Sequence, residues 1–367
     1  MKIPYADNFF MNYAIRLASR NIGNTGKNPS VGCVLTSDNK IISFGITGNN
    51  GSPHAEYQAI KKVTNLPKNV TAYITLEPCS HVGKNPSCAD LLINSKISRV
   101  VIAQLDPNPL VNGKGIKILK ENGVKVDYGL LEKKALVNNY GFINNIKKKY
   151  PEVNVKIASS KNGITIPEDG KKWITNNLSR SYGHILRSNH DAIMVGIKTV
   201  LTDNPSLNCR LQGLESRSPI KIVVDTNLQT PLSCKLVKNS NKDLIIFSNS
   251  LNKNKTLSFK NAGIDVIYIN KLKNGFLDIQ EILLYLNKKG INRLLIEGGS
   301  TLAYSFISGN FVNEVYWFSS KNNIINSKLP NESDEKLNSI KKSNIFIIKD
   351  CINLRDNKLE IFKLEKD

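Results

Sequence analysis

The sequence has 367 residues, 40% of them hydrophobic and 22% charged, the balance of a soluble globular protein long enough for two domains. No apolar run approaches the roughly 20 residues that a membrane-spanning helix needs, and residues 1–20 carry Asp7 and no apolar core before a cleavage site, so no membrane partner and no secretory signal are expected. The net charge of +21 suits an anionic partner, but the lysines are dispersed and no aromatic-interleaved basic stripe is present, so nucleic acid is not the expected one. Six cysteines without framework spacing fit a reducing compartment, and a cytoplasmic location is expected.

In the first half, the apolar spacing of Phe10, Met11, Ala14, Ile15 and Leu17 predicts a helix over Asp7 to Ala18. Residues 33–35 and 41–45 read as paired strands around a turn at 37–40. A helix over 55–63 follows Pro53, then a strand at 72–76, a helix at 89–95, a strand at 99–103, a helix at 116–121 and a short strand at 124–126. This alternation argues an α/β sheet flanked by helices. Three chemically distinctive residues fall at its joints. His54 and Glu56 open the helix after Pro53, Pro78-Cys79 ends the strand at 72–76, and Cys88 follows eight residues after Cys79. One imidazole and two thiolates suit zinc and leave a fourth position for water, which zinc makes acidic near neutral pH. The H-x-E and P-C…C order is the zinc-deaminase signature, in which the glutamate shuttles the proton. The competing reading is a closed structural site, with His81 as fourth ligand, or two buried thiols; His81 could instead line the pocket.

A domain boundary is expected between Gly141 and Pro151, where residues 144–150 are polar and basic; we divide the chain into 1–146 and 147–367. Strands are expected at 153–157, 191–196, 220–225, 244–247, 266–269 and 293–296, and helices at 179–189, 279–288 and 302–307, a second α/β unit. Glu297-Gly298-Gly299-Ser300-Thr301 leaves a strand and opens a helix, where small residues let backbone N–H groups approach a phosphate. The C-terminal segment carries two expected strands, 345–348 and 359–362, and no motif.

With these residues in view, Pro53-His54-Ala55-Glu56, Thr75-Leu76-Glu77-Pro78-Cys79-Ser80-His81, Gly83-Lys84, Cys88 and Asp106-Pro107-Asn108-Pro109 resemble the deaminase half of the bifunctional riboflavin-biosynthesis deaminase/reductase family, RibD. The long gap between the cysteines separates this pattern from cytidine and tRNA-adenosine deaminases. Leu186-Arg187, Asp191-Ala192-Ile193, Thr199-Val200-Leu201, Trp173-Ile174-Thr175 and Glu297-Gly298-Gly299 resemble the family's reductase half. The resemblance implies an N-terminal cytidine-deaminase-like zinc domain and a C-terminal dihydrofolate-reductase-like α/β domain. By it, His54, Cys79 and Cys88 bind zinc, Glu56 is catalytic, and Asn28, His81, Lys84 and Asp106 are candidate contacts for a pyrimidine ribotide that loses its ring amine. In the second half it implies NADPH on Ala158, Trp173, Thr199, Asp203, Gly299, Ser300 and Thr301. Arg187, Leu207, Arg210 and Glu297 would hold the substrate whose ribosyl is reduced to ribityl. A homo-oligomer is expected. Two departures from the pattern, Asn162 in Ser160-Lys161-Asn162-Gly163 where the family commonly has aspartate, and Lys171 near Trp173, keep open a deaminase with an inactive reductase domain. The charge keeps open an RNA deaminase with a basic accessory domain.

Overall fold

The computed structural model describes residues 5–80, 87–109, 111–165, 173–324, 332–343 and 345–364. The chain divides into two units, Met1–Tyr150 and Pro151–Asp367.

The first unit runs α1 (Tyr5–Ser19), β1 (Gly32–Ser37), β2 (Lys40–Ile46), α2 (Ala55–Lys61), β3 (Thr71–Ile74), α3 (Cys88–Asn94), β4 (Arg99–Ile102), α4 (Lys114–Glu121), β5 (Lys125–Tyr128) and α5 (Glu132–Lys148). Its sheet has the order β2-β1-β3-β4-β5. β1 lies antiparallel to β2 and β3, while β3, β4 and β5 are parallel. Side chains alternate across a strand. Cys33, Leu35, Ala72, Ile74, Val100 and Ile102 therefore face one core, shared with Ala55 and Ala59 of α2, Leu92 of α3 and Leu119 of α4. Val34, Tyr73 and Val101 face the other, shared with Phe10, Met11 and Ala14 of α1 and Ala135 of α5. The sheet is thus sandwiched, with α2, α3 and α4 on the face that ends at the histidine and cysteines. Gly45 makes one of these contacts possible: a Cβ there would lie 2.0 Å from the carbonyl oxygen of Ala55, so α2 rests directly on β2.

α1 is held by charge as well as packing. Asp7 accepts hydrogen bonds from Tyr73 Oη at 2.6 Å and from Arg99 Nη1 and Nη2 at 3.0 and 2.8 Å. Arg99 Nε also donates to Asp127 at 2.8 Å, so one guanidinium joins α1, β4 and β5.

The second unit runs β6 (Glu152–Ser159), α6 (Asn177–Ser188), β7 (Ala192–Gly196), α7 (Ile197–Asp203), β8 (Ile220–Val224), α8 (Lys235–Lys238), β9 (Leu244–Ser248), α9 (Lys253–Asn261), β10 (Asp265–Tyr268), α10 (Ile279–Lys288), β11 (Arg293–Glu297), α11 (Ser300–Ser308), β12 (Glu314–Ser320), α12 (Glu332–Lys342), β13 (Phe346–Leu354) and β14 (Asn357–Leu364). Its sheet has the order β10-β9-β8-β7-β11-β6-β12-β14-β13. From β10 to β12 the neighbours are parallel, and β14 and β13 finish the sheet antiparallel. Because β6, β7 and β11 are adjacent and parallel, Ser159, Gly196 and Glu297 end on one edge of the sheet. The chain winds away from this point in both directions, which is where open α/β sheets place their ligands.

The expected boundary between 146 and 147 falls inside α5, and the units divide at Tyr150 and Pro151. The polar, basic stretch from Asn144 continues this helix rather than forming a linker: Asn144 is buried with Ala135, Asn139, Gly141 and Ile143, and Lys147, Lys148 and Lys149 are exposed.

Candidate active sites

In the first unit, His54 is the extended residue that caps α2 and Glu56 lies in that helix's first turn, 4% exposed. Cys79 follows β3, and Cys88 is the first residue of α3. Ser87 fixes the start of α3, its hydroxyl oxygen accepting from Asp90 N at 3.1 Å. Two backbone bonds then hold the cysteines together: Cys88 N donates to Cys79 Sγ at 3.3 Å, and Ala89 N to the Cys79 carbonyl at 3.2 Å. His54 Nδ1 lies 3.1 Å from Cys88 Sγ and 3.8 Å from Cys79 Sγ, and all three donor atoms fall within 4.8 Å of one another. A tetrahedral zinc with ordinary bond lengths would separate such donors by about 3.5–3.8 Å. The donor set and its spacing therefore fit zinc, with no fourth protein ligand among the described residues.

The electrostatics match an open metal edge. Burial raises the Glu56 pKa above the usual carboxylate value, the direction that suits a proton shuttle working near neutrality. The hydrogen bond to Cys79 raises that of His54. Cys79 is drawn down to about 4, first by its hydrogen bond with Cys88, while that bond and burial push the Cys88 thiol far up. A divalent ion at these sulfurs would favour both thiolates.

Other expected contacts of this half are placed less directly. Asn28 donates from Nδ2 to the carbonyls of Asn50 at 3.2 Å and Thr25 at 3.5 Å, so it braces the loop before His54. Asp106 is buried and its Oδ1 accepts from Asn108 N at 2.8 Å, an Asx turn just past β4. His81 and Lys84 lie outside the described residues.

In the second unit, Arg187 of α6 grips Glu297 at the end of β11 with a forked pair, Nε to Oε2 and Nη2 to Oε1, each 2.8 Å, and its Nη1 donates to the Asn208 carbonyl at 2.9 Å. Lys156 of β6 adds an ion pair to Glu297 at 3.4 Å. Burial alone would raise the Glu297 pKa, but Arg187 and Lys156 hold it well below the usual range. Lys156 carries no motif, and only the parallel pairing of β6 with β11 brings it to Glu297. Arg210 is exposed, with Nη1 on Asn208 Oδ1 at 3.1 Å. Leu207 is core, 3% exposed, with a left-handed φ of 55°, so its side chain packs inward. Gly298 and Gly299, with φ of 90° and 79°, lead into α11. A Cβ on Gly298 would lie 3.2 Å from the Thr199 methyl, and one on Gly299 3.4 Å from its hydroxyl, so α7 and this turn face each other. Ser300 and Thr301 begin α11, and Thr301 Oγ1 bonds Ser333 Oγ of α12 at 3.1 Å. Ala158 is half-buried near the end of β6, and Asp203 is exposed at the end of α7. Trp173 is 51% exposed, with the Arg180 guanidinium 5.1 Å from its ring centroid.

Comparison with known proteins fits both halves. Residues 4–104 match the cytidine and deoxycytidylate deaminase zinc-binding region, and residues 151–320 the RibD C-terminal domain. The riboflavin biosynthesis protein RibD of Actinobacillus pleuropneumoniae is 39% identical over 311 residues, 84% of this chain and 82% of the relative. That of Aquifex aeolicus is 36% identical over 313 residues, 85% of this chain and 86% of the relative.

The chain belongs to the RibD family.

It also superposes on solved members over nearly its full length. Acinetobacter baumannii RibD gives a TM-score of 0.85 at 29% identity, covering 98% of this chain and 99% of that one. The Thermotoga maritima diaminohydroxyphosphoribosylaminopyrimidine deaminase/5-amino-6-(5-phosphoribosylamino)uracil reductase gives 0.84 at 31% identity with the same coverage. The fold is therefore a cytidine-deaminase-like unit followed by a RibD-type reductase unit, as the sequence led us to expect. The chain is a bifunctional deaminase/reductase of riboflavin biosynthesis, with zinc and NADPH as its cofactors.

Proposed function

We propose that His54, Cys79 and Cys88 hold the zinc, that Glu56 is the proton shuttle, and that the substrate is the ribosylamino-pyrimidine 5′-phosphate expected from the sequence. The convergence of His54, Cys79 and Cys88 beside a buried glutamate carries this reading. Bound zinc supplies the Lewis acidity that makes water nucleophilic near neutral pH. Glu56 takes a proton from that water and returns it to the departing ring amine, so a carbon–nitrogen bond breaks, a carbon–oxygen bond forms and ammonia leaves. Asn28 and Asp106 shape the loops around the ring, and His81 and Lys84 are proposed to contact it.

In the second unit we propose that the deaminated product is reduced at the sugar. NADPH supplies the hydride. Ala158, Trp173, Thr199, Asp203, Gly299, Ser300 and Thr301 seat the dinucleotide at the shared strand edge, where backbone N–H groups at the head of α11 suit phosphate. Arg187, Arg210, Glu297 and the backbone of Leu207 orient the ribotide; the ion pair of Arg187 with Glu297 holds both groups still before substrate arrives. No nucleic acid or membrane partner is proposed. We propose a cytoplasmic homo-oligomer whose working halves divide at the end of α5, as residues 1–150 and 151–367.

The deciding experiment is Glu56→Gln, with ammonia release and NADPH oxidation followed separately. The variant should retain zinc and lose ammonia release by several orders of magnitude, while still reducing pre-deaminated substrate. Ammonia release at the parent rate would remove Glu56 from the reaction.

A further inference from the structure

Glu77 directly precedes Pro78 and Cys79, and it is 3% exposed. Its backbone N–H donates to the Gln104 carbonyl at 2.9 Å, which extends the β3–β4 pairing toward the metal edge. Its carboxylate then collects four backbone donors. Oε2 accepts from Asp106 N at 3.3 Å and Gly113 N at 3.0 Å, and Oε1 accepts from Gly115 N at 3.0 Å and Ile116 N at 3.3 Å. Gly115 and Ile116 lie in the first turn of α4, whose N-cap position, Gly113, makes no side-chain cap of its own. A carboxylate from another element therefore caps this helix. It satisfies donors that the helix leaves unpaired, and its charge suits the positive helix end. The approach is close: a Cβ on Gly115 would lie 2.2 Å from the Pro78 carbonyl oxygen.

Two things meet at this carboxylate. One is the backbone leading into Cys79, whose carbonyl is fixed downstream by Ala89 N at 3.2 Å. The other is the loop past β4 that carries Asp106 and Asn108. β3 and β4 are parallel, so both leave the sheet at the same edge. Beyond the Glu77 N–H to Gln104 bond, the link between them is one side chain: Asp106 N reaches the carboxylate directly, and Gly113, Gly115 and Ile116 anchor on it the far end of the loop.

We propose that Glu77 is a positioning residue for deamination: its carboxylate fixes the Asp106–Asn108 loop relative to Cys79, and so sets the wall of the pyrimidine site against the metal edge. The inference rests on the deaminase reading of the first unit. Glu77 does not touch the reacting atoms, so its loss should act mainly on substrate fit.

Glu77→Gln keeps the size of the side chain but turns an amide N–H₂ toward two backbone donors. In the full-length, zinc-loaded protein, KM for the pyrimidine ribotide in ammonia release should rise about tenfold, and kcat/KM should fall by on the order of 10- to 100-fold, the scale of a displaced but intact site. Metal analysis should still find one zinc per chain. Amide exchange should quicken at Asp106, Gly113, Gly115 and Ile116 and stay slow in β3 and β4. A folded, zinc-loaded variant with parent kinetic constants overturns the proposal. If Glu77→Gln does not fold, Gly113→Ala tests the same link from the other side. Its φ of 76° strains any side chain, yet among the described residues no atom lies within 4 Å of the added carbon. KM should rise in the same direction, and an unchanged KM overturns the proposal. Parent enzyme that releases no ammonia from the ribotide would instead sink the deaminase reading, and the inference with it.

Discussion

Single residues in the second unit separate binding from stability. Arg187 is not interchangeable with lysine, because its planar fork meets both oxygens of Glu297 at 2.8 Å while a third nitrogen holds the Asn208 carbonyl. Arg187→Lys leaves Glu297 with point-charge partners only. Reduction of the deaminated ribotide should lose on the order of 10²-fold in kcat/KM, with ammonia release unchanged; equal reduction rates would place Arg187 outside the site. His190 does the opposite kind of work. It is 1% exposed, its Nδ1 is 2.6 Å from the Leu186 carbonyl and its Nε2 3.0 Å from Asn154 Nδ2. A carbonyl only accepts, so Nδ1 carries the proton and the ring is neutral. Burial, and then Arg293, lower its pKa to about 3 from 6.5. The folded state thus resists a proton that the unfolded chain accepts. The His190 contribution is complete above pH 6.5 and is lost as pH falls from 6.5 towards about 3. Neighbouring Asp191, raised by burial to about 6 from 3.8, slopes the other way: its contribution is full below pH 3.8 and lost as pH rises through 6. His190→Gln should therefore narrow the drop in urea midpoint between pH 7 and pH 5. Identical drops in parent and variant would show that His190 titrates normally.

At the scale of elements, charge decides how α1 sits on its sheet. Asp7 is 4% exposed and accepts from Tyr73 and twice from Arg99. Burial opposes its charge, but these bonds outweigh it and leave the pKa below its usual 3.8. Asp7→Asn removes the buried one of the two carboxylates that pair with Arg99, leaving Asp127 alone, and should cost on the order of 2 kcal/mol, because hydrogen bonds to a buried charged group are lost. Chemical denaturation checks this; a loss under about 0.5 kcal/mol would reduce the network to a surface pair. The helix itself was legible because Phe10, Met11, Ala14 and Ile15 mark one stripe, and the buried strands at Ala192–Gly196 and Leu244–Ser248 were legible as unbroken β-branched or apolar runs. Other elements were not. α5 hides its buried face behind Asn139, Gly141 and Asn144, polar or small residues whose burial only tertiary packing explains. α12, rich in Glu, Asp, Lys and Ser, buries only Asp334 and Leu337 and shows almost no apolar period. The metal residues were readable because their chemistry is in the letters. Glu77 and Lys156 were not, since their partners lie on other elements, Gly113 to Ile116 and Glu297.

For the whole molecule, the decisive property is that the two chemistries use separate equipment. The His54, Cys79 and Cys88 donors all belong to Met1–Tyr150, while Lys156, Arg187, Glu297 and the Gly298–Gly299 turn belong to Pro151–Asp367. Among the described residues, the second unit offers no group of three metal-binding side chains. Removing the metal should therefore divide the activities cleanly. Dialysis against a chelator should abolish ammonia release from the pyrimidine ribotide, and added zinc should restore it. NADPH oxidation with already deaminated substrate should continue at the parent rate throughout. The first unit should also lose stability on chelation, because a metal held only by the folded arrangement of His54, Cys79 and Cys88 adds its binding free energy to folding. A protein whose reduction stops when zinc is withdrawn would mean that the second unit depends on the first for its working shape. One that still releases ammonia without metal would mean that the three converging donors are structural, and that the deaminating centre lies elsewhere.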